Sequence, residues 1–463
     1  MIRRLIVISF ALLGACAHYQ PQPLAVDAIS ARGQPAALDT EIVKAELAKI
    51  APERAWDGAS WDEKSLLAAA FSYNPDLRAA RAGAEAAQAE AKAARVHPGP
   101  TLTLTAEYAF NPVESSPWLF GLATDQLLDL GGRRRARIAD ADILAKAAAY
   151  SFENKVWNAR SEIATAIAAV KSSSAVAALY DEIAPLRNRQ VAALRNQLIE
   201  GAASSLDLER VRQSAANDAT AAASAWAYTR AARLLLAKAI GVAPAAIDGL
   251  ALTQGAVEGL GALSRDLRST ALQARPDIFN AVVAYDRSEE ALRAAVAAQY
   301  PEIHIGPGYT WERGLSKLPF NLTLAFPSAD LGAAAIAAAK ARREETARKL
   351  EAAVATAQRS IDSALETYRA ARETYSIVRD QTLPTAHAIA AQAERALDAG
   401  AMDRSTWADA KIGVLTEEIN LTRAKQALTA ARVALESALR HSFENPAFGQ
   451  AAAYQESGTS END

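Results

Sequence analysis

Few side chains in this chain have the types and spacing that could do chemistry. Its 463 residues include one cysteine, two methionines and five scattered histidines, which form no cluster with metal-ligand spacing. No Ser-His-Asp set, glycine-rich phosphate loop or paired-carboxylate site is readable, so the expectation is a protein without catalytic residues, cofactor or metal. The residues that stand out are instead Cys16 near the N-terminus, Asp409, Thr406, Arg404 and Arg210 close to glycine-bearing turns, and a run Arg133-Arg134-Arg135. That run opens a long helix, where a solvated face is the plain reading and lipid headgroup contact the sharper one. The net charge is only −3 across 50 basic and 53 acidic side chains. Such a balance gives no field for a polyanion and excludes a nucleic-acid partner.

Cys16 follows a charged start, Met1-Ile2-Arg3-Arg4, an apolar stretch from Leu5 to Leu13, and the small residues Gly14 and Ala15. This is the pattern of an export signal over 1–15, too short to cross a hydrocarbon layer of ~30 Å. Leu13-Gly14-Ala15-Cys16 resembles a bacterial lipobox, which implies a covalent lipid on Cys16 as first mature residue. Ala17 in place of aspartate implies sorting to the outer membrane. Residues 16–60, rich in Ala, Pro and Gln, read as an extended lipidated leader.

The elements that must position these residues come in two copies. Pro75, Asp76, Pro100, Tyr108, Asp129, Leu130 and Gly131 recur as Pro276, Asp277, Pro301, Tyr309, Asp330, Leu331 and Gly332, each displaced by 201 residues. Pro185 and Gly201 recur as Pro384 and Gly400, displaced by 199. Proline and glycine mark backbone positions that ordinary residues fit poorly, so matched punctuation predicts one architecture repeated. The copies span 61–240 and 262–440, joined by a Gly-containing linker over 241–261 and followed by a polar tail over 441–463.

Within each copy the order is helix, strand, strand, long helix, closing helix. Helix is expected from Trp61 to Val96, strands from Thr101 to Phe110 and from Trp118 to Leu128, and helices over Arg133–Glu200 and Ser205–Ile240. The second copy predicts helix to Gln299, strands Glu302–Trp311 and Lys317–Phe326, a long helix over Gly332–Ala399 and a closing helix to Arg440. Leu350, Val354, Ala357, Ile361, Ala364, Tyr368, Ala371, Tyr375 and Val378 keep alternating steps of four and three, the seam of a coiled coil. Two shorter helices stacked end to end match the length of one long helix, so they can pair with it as a straight rod. The strands alternate apolar and polar residues and have the length of tilted membrane strands. Four strands leave two open edges, which a bilayer forbids, so closure must come from other subunits, and three chains give twelve strands. The fold class expected is mainly α with a membrane β-barrel contribution.

Together the lipobox, the duplicated order, Asn74-Pro75-Asp76-Leu77 and Arg275-Pro276-Asp277-Ile278, Leu128-Asp129-Leu130-Gly131-Gly132 and the Gly-centred helix tips resemble the TolC-like outer membrane efflux proteins over residues 60–440. The stretch Pro301–Trp311 resembles the branch serving heavy-metal pumps of the CzcC type. The resemblance implies a homotrimer with a twelve-stranded barrel in the outer membrane and a helical tunnel through the periplasm. Its implied partners are a periplasmic adaptor (membrane fusion) protein, an inner-membrane pump of the resistance-nodulation-division type, and outer membrane lipid. The implied role is a passive exit duct for metal cations or drugs. A type I secretion channel and a lipidated adaptor or scaffold without a pore are the alternatives. Adaptors, however, need Gly-rich β domains that two hairpins with two strands per copy do not supply.

The resemblance also assigns roles. Gly201, Ala202, Ser204, Gly400 and Ala401 lie at helix tips that dock the adaptor, although a simple C-cap explains the glycines equally. Asp409, nine residues beyond Gly400, resembles the acidic position of the periplasmic constriction, where three copies form a carboxylate ring. A second acid in some family members corresponds to Thr406 here. Arg404 and Arg210 are candidates to brace the closed gate through ion pairs. Pro185 and Pro384, each 16 residues before a tip glycine, are candidate bends where the tips splay, or fixed kinks.

Overall fold

The computed structural model describes residues 19–51, 56–110, 116–129, 131–255, 265–312, 314–326, 328 and 330–443. The signal segment, Cys16, Leu130, residues 256–261 of the linker and the tail from 444 onward lie outside the described residues.

The leader is not simply extended. It carries α1 (Val26–Arg32) and α2 (Thr40–Ile50), and the Asp39 carboxylate accepts the N–H groups of Glu41 and Ile42 to start α2. Val43 and Leu47, one turn apart, are buried, a stripe too short to stand out in so alanine-rich a stretch. The helix expected over Trp61–Val96 is likewise two helices, α3 (Glu63–Tyr73) and α4 (Pro75–Ala94), preceded by β1 (Ser60–Trp61). Pro75 pushes Asn74 out of the α region, and the Asn74 side chain caps α4 by accepting from Asp76 and Leu77. The second copy breaks at the equivalent place, between α7 (Arg265–Ala274) and α8 (Pro276–Ala297). Part of the linker is structured: Pro244–Ile247 forms a 3-10 turn, and β4 (Ala251–Leu252) pairs in parallel with β1.

The long helix of the first copy is α5 (Arg133–Ile199), 67 residues and therefore roughly 100 Å. It is followed by α6 (Ser205–Ile240). In the second copy α9 (Ala333–Ile377), a π turn over Val378–Thr382 and α10 (Leu383–Asp398) make one rod, followed by α11 (Arg404–Leu439). Ala357, Ile361 and Tyr368 of the expected seam are buried. The end-to-end joint of short helices is explicit: Asn74 Nδ2 donates to the Ala239 carbonyl at 2.8 Å, where α6 ends against the start of α4. A Cβ on Gly241 would lie 2.5 Å from Asn74 Cα, so only glycine permits that approach. Arg275 Nη1 donating to the Ala438 carbonyl at 3.0 Å is the matching joint of the second copy.

Around these joints sits the main core, in which Leu66, Ile163, Leu236 and Ile240 pack with Val43 and Leu47. Beside it, buried Arg160 donates to Glu436 at 2.9 Å and Ser442 at 3.0 Å and pairs with Glu63 at 2.5 Å, tying α3 and α5 to the C-terminal helix.

Beyond the far ends of α4 and α8 lies an antiparallel sheet of β2 (Thr101–Tyr108), β3 (Trp118–Leu128), β5 (Glu302–Glu312), β6 (Leu315–Lys317) and β7 (Phe320–Ala325). Its order is β2-β3-β5, with β6 and β7 both on the far side of β5. The strand expected over Lys317–Phe326 is thus interrupted at Leu318-Pro319, since proline has no N–H for the ladder. The pairing places Leu104 opposite Leu122, Leu122 opposite Tyr309, and Ile305 opposite Leu322, so one face is largely apolar and solvent-exposed, interrupted on β3 by Thr124 and Gln126. The other face presents polar groups, including His304 with its Nδ1 3.0 Å from Asp125 Oδ2. Tyr108, Trp118, Phe120 and Trp311 form a chain of ring contacts at 4.9–6.1 Å at one rim.

Candidate functional site

The helical hairpins end in two capped turns. Gly201 and Gly400 adopt φ of 75° and 72°, left-handed values that end α5 and α10 without steric cost. Ala202 N–H then donates to the Gln197 carbonyl at 2.7 Å and Ala401 N–H to the Ala396 carbonyl at 2.8 Å, the wide backbone bond of a Schellman cap. Ser204 begins α6 through a reciprocal capping box with Asp207. Asp403 begins α11 by accepting from Ser405 N–H at 2.8 Å and Thr406 N–H at 3.1 Å. The glycines therefore are caps, and the turns leave Gly201, Ala202, Ser204, Gly400 and Ala401 at the exposed extremity. Ile199 and Leu206, overlooked in the sequence, add exposed apolar surface beside Gly201.

Asp403 links the two tips. Burial pushes its carboxyl upward, but hydrogen bonds from the Thr406 hydroxyl, the Thr406 and Ser405 N–H groups and the Gln197 side chain outweigh that and hold it below the usual range. Thr406, at the position where an acid was sought, spends its hydroxyl on Asp403 at 2.6 Å.

Above the tips, Arg187 of α5 lies where three helices meet. Its Nε donates to Asp218 Oδ2 of α6 at 2.8 Å, and its Nη1 donates to Asp409 Oδ1 of α11 at 3.2 Å and to Gln190 Oε1 at 2.9 Å. Arg187 is 15% exposed against 59% for Asp409, so the guanidinium is sheltered while the carboxylate stays largely in water. Asp409 thus belongs to an ion-pair cluster spanning both hairpins. Arg210 does not reach it: Arg210 pairs within its own helix with Asp207 at 3.6 Å. Arg404 stands exposed in the first turn of α11. Arg187 carried no motif; only its place two residues, about half a turn, beyond Pro185 set it apart. A second cluster, Lys411 to Glu394 at 2.6 Å with Trp407 Nε1 to Glu394 at 3.2 Å, ties α10 to α11.

The two prolines differ. Pro185 sits inside an uninterrupted α-helix, whereas Pro384 follows the π turn, in which Leu383 N–H reaches back five residues to the Val378 carbonyl. Thr382 Oγ1 donates there to Glu417 Oε2 of α11 at 2.8 Å.

Hairpins of this length rooted in a sheet with an apolar outer face and two open edges define a class: the outer-membrane duct continued by a helical tunnel. The outer membrane efflux protein profile matches residues 66–242 and 267–440, and the chain belongs to that family. It is a TolC-like outer membrane factor, placed in the outer membrane with its helices in the periplasm. The fold is similar to crystal structures of CusC, with a TM-score of 0.67 and 19% identity over 92% of this chain and 99% of that one. VceC of Vibrio cholerae gives 0.65 and 18% over 81% and 95%. The open state of MtrE of Neisseria gonorrhoeae gives 0.63 and 19% over 81% and 88%. No curated protein sequence matches the chain.

Proposed function

We propose that this protein is the passive outer-membrane exit duct of a tripartite efflux system, assembled as a homotrimer. The observation that carries this reading is the sheet: an exposed apolar face and unpaired β2 and β7 edges above tunnel-length hairpins. Three copies supply twelve strands and remove every edge from the lipid. The helix tips, with Ile199 and Leu206 beside Gly201 and Ala202, are the surface for a periplasmic adaptor, itself docked to an inner-membrane pump of the resistance-nodulation-division type. Cargo is metal cations or drugs selected upstream, and the duct performs no chemistry and needs no cofactor. Acyl chains on Cys16 anchor the leader in the bilayer. Bilayer conductance with a detergent-corrected mass of three chains tests the reading; a non-conducting monomer overturns it.

Within this duct Arg187 is the latch. By holding Asp218 and Asp409 it keeps the first hairpin and α11 together near the closed end, with Pro185 and Pro384 as the bends above it. Arg187→Ala raises closed-state conductance, and Asp409→Ala raises it less because Asp218 keeps its partner. Unchanged leak in both variants rejects the latch.

A further inference from the structure

Where the sheet meets the helices, a cavity of about 1090 Å³ is bounded by the first turns of α5 and by the ends of β3 and β5. Arg133, Arg134, Arg135 and Arg137 all contribute to its wall, facing three carboxylates, those of Asp129, Asp142 and Glu302. The carboxylates are already engaged. Asp129 accepts the N–H groups of Arg133 and Arg134, Asp142 is held by Arg95 at 2.8 Å, and Glu302 pairs with Arg133. Arg134 donates through Nη2 to the Arg95 carbonyl and leaves its Nε buried without a hydrogen-bond partner. Arg135 and Arg137 are exposed and are in no ion pair among the described residues. The cavity wall therefore carries a net positive charge, four guanidinium groups against three carboxylates.

Its position limits what can neutralise it. Leu128 and Ile303, paired across β3 and β5, end the apolar face at this rim, and exposed Tyr300 lies just beyond, the arrangement of a bilayer interface. Within the chain α5 is flanked on both sides, by α4 through Arg95 and Asp142 and by α8 through Arg287 and Asp140, and these contacts leave Arg135 and Arg137 exposed. The charge is also specific to one copy, because the second long helix opens Ala333-Ala334-Ala335-Ile336-Ala337-Ala338. Helix formation and capping are served equally well by those alanines, so the arginines answer another need.

We propose that this cavity binds the phosphate of an anionic phospholipid headgroup at the periplasmic rim of the barrel, with Arg135 and Arg137 as its principal ligands. Guanidinium groups match phosphate oxygens in paired hydrogen bonds, and a headgroup at this depth lets acyl chains lie on Leu128 and Ile303. The inference rests on the outer-membrane placement of the sheet but not on the trimer or on efflux.

Native mass spectrometry of the full assembled protein with phosphatidylglycerol, phosphatidylcholine or inorganic phosphate tests it. The expected result is preferential retention of phosphatidylglycerol, falling roughly tenfold in Arg135→Ala/Arg137→Ala and partly kept in Arg135→Lys/Arg137→Lys. Arg135→Gln/Arg137→Gln serves if the alanine pair fails to assemble. Equal retention of phosphatidylglycerol and phosphatidylcholine overturns the site, as does a preference that survives both neutral pairs. Binding of free phosphate that displaces no lipid also overturns it and marks an anion site facing the lumen. Conductance of the same samples reports separately on the duct.

Discussion

Arg187 and Arg160 show two different uses of one side chain. Arg187, at the margin of the rod, pairs with a carboxylate that water still reaches, so its bonds can break at small cost; Arg160 is 3% exposed and Glu436 wholly buried. Breaking that second pair leaves buried Arg160 to Glu63 and also removes the carboxylate beside Arg432. Glu436→Ala is expected to lower unfolding free energy by about 3–5 kcal/mol, measured by urea titration, with tip behaviour unchanged. A loss within about 0.5 kcal/mol, the range of an ordinary surface substitution, contradicts the network's role. Tyr150 gives the corresponding pH test. Its hydroxyl donates to the Ala274 carbonyl, its ring stacks on Phe279 at 4.0 Å, and burial pushes its pKa up to about 12 from 10.0. An acid whose folded pKa is raised contributes stability that is complete below its unfolded pKa and is lost as pH rises through the folded one. Thermal stability should therefore decline between pH 10 and about 12. Tyr150→Phe should remove that part of the decline while costing about 1 kcal/mol at neutral pH.

Elements were legible where proline and glycine punctuate them. The span of β3 and both ends of α6 follow from Pro117, Ser204 and Gly241, because each imposes a backbone state regardless of tertiary context. The breaks at Asn74-Pro75 and Leu318-Pro319 carry the same punctuation but were submerged in patterns that continue across them, since the stacked helices share one direction and the two strand pieces share one partner. The repeat shift can now be placed. The offset is 201 at Asp129 and Asp330, 200 at the left-handed caps Gly132 and Gly332, and 199 at Pro185 and Pro384. One residue thus lies in the turn before the first long helix and the other within that helix. Arg187 was illegible for a different reason: its partners on α6 and α11 are set by side-by-side packing of three rods, which no local pattern encodes. The π turn has a local cause, widening the helix just before Pro384, which lacks an N–H and whose ring would clash with the carbonyl four residues back. Pro384→Ala supplies the missing N–H and removes the ring clash, so amide exchange over 378–383 should slow in hydrogen-exchange measurements. Exchange that stays as fast assigns the π turn to the Thr382–Glu417 contact instead.

At the scale of the molecule the helical and sheet parts differ in what one chain can complete. The hairpins bury their seams within the chain, through Val176, Ala177, Ile183, Ile412 and Ile419 in the tip half and Ile361, Tyr368, Leu428 and Leu435 nearer the joint of α7, α8 and α11. The sheet cannot do the same: both faces are largely open, the apolar face shows Leu104, Phe320 and Leu322 to solvent, and the β2 and β7 edges lack partners among the described residues. Stability should then divide along the rod, with helices that persist in a single chain and strands that depend on association. Mass action makes this measurable. Each association step contributes about 1.4 kcal/mol more for every tenfold rise in chain concentration. In detergent the loss of strand signal should move to higher temperature as protein concentration rises at fixed detergent ratio, while helical ellipticity melts at a temperature that changes little. Coincident, concentration-independent transitions would mean that the sheet is complete within one chain, and the shared barrel would have to be abandoned.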